Sequence, residues 1–176
     1  MKQNIARLKR EVEDIKKHFA RYRLEWIVDG VVFSYEQCCS HYIDNTINIR
    51  GSDRHSGLFK SSYQFLILHE IGHHFFEQKA KLKKVWREDY DRYWLEYRRN
   101  YARWTRNPSI HKDYISRYSS CHTAEEMAEI FALTFWCRFN KVKFAELLQE
   151  CKKSKKCKDR IRHVRKIIEK TILEKK

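Results

Sequence analysis

Apolar residues recur at alternating steps of three and four from the start of the chain: Ile5, Leu8, Val12, Ile15, Phe19 and Tyr22. That spacing draws one stripe along a helix and predicts an amphipathic helix over residues 1–23. A stripe of about three heptads is the bare minimum for a coiled-coil seam, so packing against the same domain is the expected use. The period then shortens. "WIVDGVVFSY" sets Asp29-Gly30 between two β-rich runs, a hairpin signal, and "YIDNTINIR" reads as a further strand before the polar loop "GSDRHSG". Helical spacing returns near Ser61 or Ser62, which serve as caps, and runs to about Leu82 through "YQFLILHEIGHHFFEQKAKL". A second long helix over residues 83–106 alternates Trp, Tyr and Leu with Arg and Asp, and stops before Asn107-Pro108. Residues 108–122 read as an irregular connection. "TAEEMAEIFALTFWCRF" opens a helix at Thr123 with acidic residues in its first turn. A basic helical region, 141–176, closes the chain with Ile161, Val164, Ile168 and Ile172 on one face. No internal repeat is visible.

These elements describe an α+β protein, mostly helical, with a small N-terminal sheet. A length of 176 residues suits one domain spanning 1–176. One proline and four glycines disfavour a turn-rich β fold. A hydrophobic share of 42% supplies a core and excludes a disordered chain, although the mean hydropathy is −0.79. The charged N-terminus lacks the apolar run of a secretory signal, and no stretch is long enough to span a membrane. The expectation is an intracellular, cytoplasmic protein. Its six cysteines are irregularly spaced without a CxxC pair, which predicts reduced thiols. A formal net charge of +15 points to partners: nucleic acid, an acidic substrate, or a generally basic proteome. A solvated surface explains the charge equally well.

Chemistry concentrates in "FLILHEIGHHFFE", residues 65–77. Residues four apart share a helix face, so His69 and His73 can reach one ion, while Glu70 stands about 100° round the axis beside it. This is the HExxH arrangement of zincin metallopeptidases, in which zinc acidifies a water and the glutamate takes its proton. Five residues with three fixed positions also arise by chance on helices whose histidines merely pack. Here the apolar run from Phe65 to Ile71 and again at Phe75 and Phe76 buries the histidines, which then need partners. His74 falls off the ligand face. A catalytic zinc needs a third protein ligand, and the downstream candidates are His111, Cys121, His122, Glu125, Glu126 and Glu129. "HTAEEMAEIFAL" favours Glu125, with Glu129 one turn on as acceptor for a ligand histidine, because two carboxylates on a nearly apolar face need a cation or donors. The helix dipole alone would explain Glu125 and Glu126, and Glu129 less easily.

"HEIGH" followed by "YSSCHTAEEMAEIFA" resembles the zincins related to anthrax lethal factor and the Pro-Pro endopeptidases. Those carry a tyrosine seven residues before a ligand glutamate and a second glutamate four residues after it, positions held here by Tyr118, Glu125 and Glu129. The resemblance implies His69, His73 and Glu125 as ligands of one catalytic Zn2+, Glu70 as general base and Tyr118 as donor to the developing oxyanion. It also implies a substrate aligned as an extended strand along residues 45–50, with Asn48 and Arg50 in contact. Arg50, Arg54 and Lys60 nearby predict a preference for acidic protein or peptide substrates.

The leading expectation is therefore a zinc-dependent endopeptidase. An ImmA/IrrE-type regulatory protease shares the HExxH helix and a later "ExxAxxFA"-like helix. A non-catalytic zinc protein that binds nucleic acid is the reading from another class. It would use the aromatic-basic helix 83–106 and the run "KKSKKCKDRIRHVRK" to stack bases and hold phosphates.

Overall fold

The computed structural model describes residues 2–35, 40–50, 63–80, 113–116, 119, 123–150 and 153–175. The expected helix over 83–106, Tyr118, and the alternative ligands His111, Cys121 and His122 lie outside them.

Helix α1 (Lys2–Arg21) turns Leu8, Val12, Ile15 and Phe19 into the core and leaves Ile5 and Tyr22 half-buried. Phe19 meets Phe135 and Phe139 edge-on, with ring centroids 5.1 and 5.3 Å apart. The stripe thus packs on the chain's own core, as its short length suggested.

The β region departs from expectation. Trp26 and Ile27 belong to a tight 3-10 turn (Glu25–Ile27), with Ile27 wholly buried and the Trp26 ring against Phe75. Burial of these side chains overrides their strand propensity. Asp29-Gly30 makes a turn leading into strand β1 (Val32–Ser34), not a hairpin between two strands. The hairpin lies later, between β2 (His41–Ile43) and β3 (Thr46–Asn48), where "YIDNTINIR" suggested one strand. Its two turn residues, Asp44 and Asn45, have φ of 45° and 64°, the left-handed pair that matches strand twist and that Asp and Asn tolerate. The Tyr42 hydroxyl donates to Asn45 Oδ1 at 3.1 Å and helps close the turn.

The strand order is β1-β3-β2, with β1 parallel and β2 antiparallel to β3. Residues 46–48 are therefore central, and the expected free edge at 45–50 does not exist, because β3 is hydrogen-bonded on both sides. Asn48 is buried and pairs across the strands with His41, Nδ2 to Nε2 3.0 Å. Arg50 is exposed past the strand end, its N–H donating to Ser40 Oγ at 3.0 Å.

Helix α2 (Tyr63–His74) widens at its end into a π-helical turn (Phe75–Lys79), closed by Ala80 N–H donating to the Phe75 carbonyl at 2.9 Å. It lies against α3 (Thr123–Phe139), and both are buried along most of their length. Phe75, Phe76, Phe131 and Phe135 fill the space between them. The basic C-terminal region forms α4 (Phe144–Glu150) and α5 (Lys155–Leu173). Ser154 caps α5 by accepting from Cys157 N–H at 3.2 Å. Helix α5 buries Ile161, Val164 and Ile168, while Ile172 is half-buried. Cys137 and Cys157 are buried free thiols. The described chain is α+β and mostly helical, and none of its described helices is long and apolar enough to cross a membrane.

Candidate metal centre

One turn of α2 and the first turn of α3 supply the centre. His69 and His73 leave α2 on one face, and Glu125 reaches them from α3. His69 Nε2 lies 3.0 Å from Glu125 Oε2, His73 Nε2 3.1 Å from His69 Nε2, and His73 Nε2 3.3 Å from Glu125 Oε2. Bonds of about 2.0–2.1 Å arranged tetrahedrally place donor atoms roughly 3.3 Å apart, so this triangle has the spacing of three ligands on one small cation. Among the described residues it is the one such group of three. His69 is 2% exposed, whereas the side chains of His73 and Glu125 are 16% and 11% exposed, so the centre opens to solvent on the His73 side.

Burial pulls His73 down, but Glu125, Glu70 and Glu77 outweigh it and raise its pKa to about 9. Burial pulls His69 below its ordinary value against the pull of Glu125. Glu125 is itself held well below the usual carboxylate range, because the His73 charge and bonds from both imidazoles outweigh its burial. A proton on His73 and a cation held by the three donors would therefore compete.

Glu70 is buried beside this group and its charge acts on His73. Glu77, one turn beyond His73 on the π-helical turn, acts on His73 as well. His74 points elsewhere, its Nδ1 3.3 Å from the Tyr42 hydroxyl.

The other glutamates of α3 separate clearly. Nε of Arg160 donates to both Glu126 oxygens at 2.9 Å, which removes Glu126 from the list of third ligands. Glu129 is wholly buried, and its Oε2 accepts from the Ser116 hydroxyl at 2.5 Å. A histidine partner was expected there, and the hydroxyl partner comes from a segment that carried no sequence signal.

Burial, reinforced by Glu125 and Glu126 and opposed by the Ser116 bond, raises the Glu129 pKa to about 8. An acid whose folded pKa is raised favours the folded state while it is protonated. That contribution is complete below the unfolded value of 4.5 and is lost as pH rises towards about 8. In metal-free protein, the stability of Glu129→Gln relative to wild type is expected to climb across that window. Urea midpoints at several pH values measure it, and a pH-independent difference would refute the assignment.

No protein-family model, curated protein or solved structure matches the chain.

The centre has to be understood from its own geometry, and that depends on a contact the motif spacing did not single out. A Cβ on Gly72 would sit 2.9 Å from Ala128 Cα, 3.0 Å from its carbonyl oxygen and 3.2 Å from Phe131 Cβ. Backbone cannot step aside, so a residue without a side chain on α2 and a methyl on α3 are what let Glu125 come within reach of the histidines. Gly72→Ala gains up to about 1 kcal/mol of helix propensity but overpacks this crossing at about 1–3 kcal/mol. The expected result is a lower melting temperature together with weaker binding of an added divalent metal probe. Wild-type values for both would mean that the crossing has slack.

Proposed function

We propose that this chain is a zinc-dependent endopeptidase of zincin type. The observation that carries the reading is the triangle of His69, His73 and Glu125 with the buried Glu70 beside it. Two imidazole nitrogens and one carboxylate oxygen form a donor set that suits Zn2+ and leaves a coordination position open. Held by His69, His73 and Glu125, a zinc ion would supply an acidified water and a polarised substrate carbonyl. Glu70 takes the proton at its carboxylate and returns it to the leaving amine, a role that suits a buried carboxylate next to the ligands and outside the triangle. Tyr118, by the resemblance, donates to the oxyanion.

With β3 enclosed, an extended substrate is assigned to β2 instead. Among the described strands, β2 is the outer one that packs on α2, tied to it through Tyr42 and His74. Main-chain pairing there would orient the peptide and leave selection to side-chain pockets. Of the three cations invoked for acidic substrates, Arg50 alone is among the described residues, and the charges acting on His73 are the carboxylates of Glu125, Glu70 and Glu77.

The test is cleavage of a proteome-derived peptide library by zinc-loaded protein, by chelator-stripped protein and by stripped protein with zinc restored. New termini that vanish on stripping and return with zinc establish the activity and its subsite preferences. Termini indifferent to zinc, or none at all from fully loaded protein, count against it.

A further inference from the structure

Helix α3 enters the centre with Glu125, Glu126 and Glu129, all buried. Glu125 faces the histidines, and the other two lead to one short stretch, Asp113–Ser116 with Ser119. Arg160 of α5, whose Nε holds both Glu126 oxygens, also donates from Nη2 to the Asp113 main-chain carbonyl. Its guanidinium lies over the Tyr114 ring, 4.5 Å from the centroid. Lys153, just before α5, donates to the Tyr114 carbonyl at 2.7 Å. From the α3 side, Glu129 takes the Ser116 hydroxyl. Ser116 and Ser119 each donate a main-chain N–H to the other's hydroxyl at 3.0 Å. The stretch is therefore gripped at two carbonyls, one by Arg160 of α5 and one by Lys153 just before it, and at one hydroxyl from α3. A mostly buried ion pair is poor evidence for stability, because desolvation offsets its attraction, but a planar fork that engages two groups fixes their relative position.

We propose that Arg160 is a positioning residue of the metal centre, locking the first turn of α3, which carries Glu125, to the segment that flanks Tyr118. The proposal rests on the hydrolase reading above. It makes α5 a working part of the centre, whereas its lysine- and arginine-rich sequence suggested only a solvated or phosphate-binding face. Arg160 is taken out of that face by Glu126.

The test compares full-length wild type with Arg160→Met, Arg160→Lys, Glu126→Gln and the Glu126→Gln/Arg160→Met double variant. Three readouts are used: Co2+ as a spectroscopic probe of the ligand field, amide exchange of the Asp113–Ser116 segment, and kcat and KM on a library-derived peptide. Every variant is expected to bind one metal ion. Arg160→Met should shift the cobalt absorption and speed exchange in the segment by about tenfold or more. It should lower kcat by about 10- to 100-fold with KM changed by less than about threefold. Lysine should not rescue it, because a point charge cannot span both partners. The double variant should be no worse than the worse single one, since the pair acts as a unit. An unchanged cobalt spectrum and unchanged exchange in Arg160→Met overturn the proposal, as does full rescue by lysine. Should Arg160→Met fail to fold, the near-isosteric Glu126→Gln decides by the same readouts. If wild type binds cobalt and cleaves nothing, the hydrolase reading falls, while spectrum and exchange still decide the role of Arg160.

Discussion

On the proposed zinc-peptidase reading, Glu70→Gln is expected to yield a folded protein that still binds one zinc ion and turns over peptide about 10²–10⁴-fold more slowly than wild type. Glutamine keeps the shape and hydrogen-bonding reach of the side chain and removes its ability to accept a proton. Glu70 stands outside the His69–His73–Glu125 triangle, so the metal keeps its three protein ligands. The Glu70 charge helps to hold the proton on His73, and its removal makes that imidazole easier to deprotonate. Metal binding should for that reason be no weaker than in wild type at neutral pH. Metal content and single-turnover rates on the same preparation separate the outcomes. Full turnover in the variant would remove Glu70 from the chemistry. Loss of zinc together with turnover would make it a structural support of the ligands and not the base.

On the same reading, Glu125→Ala is expected to lower zinc affinity by more than about 100-fold, beyond what removing a group that only supports a ligand costs. Two imidazoles from a single helix turn remain, and they cannot complete a three-ligand site. The carboxylate is also the main attraction for the proton on His73, and without it two imidazoles stand 3.1 Å apart with only the weaker pull of Glu70 and Glu77 on His73. The loss should therefore appear even in metal-free protein, as a lower melting temperature. Competition with a chromophoric chelator measures the affinity. Retained zinc in the alanine variant would mean that a residue outside those described, such as His111, Cys121 or His122, completes the site.

Both predictions depend on residues at opposite ends of legibility. His69, Glu70 and His73 were readable because a helix turn is a local object: spacing alone places two side chains on one face. Helices α1 and α3 were readable for the same reason, α1 from its apolar period and α3 from the acidic turn at Thr123. Glu125 could be preferred over its neighbours only by context, since spacing does not say which carboxylate of α3 meets α2. Strand pairing was misread where local signals competed. Asp29-Gly30 and Asp44-Asn45 are both good turns, and burial of Ile27 with packing of Trp26 on Phe75 decided which became the hairpin.

The helical periods, the HExxH face and the acidic entry of α3 were legible in the residue order alone, because each repeats from one helix turn to the next. Only the tertiary structure decided that β3 is enclosed, that Gly72 meets Ala128, that Glu126 belongs to Arg160, and that Glu129 belongs to Ser116. Those pairs join residues from different parts of the chain. Their partners are chosen by how buried charges and backbones come to be satisfied when the helices close on one another, and no local period carries that information.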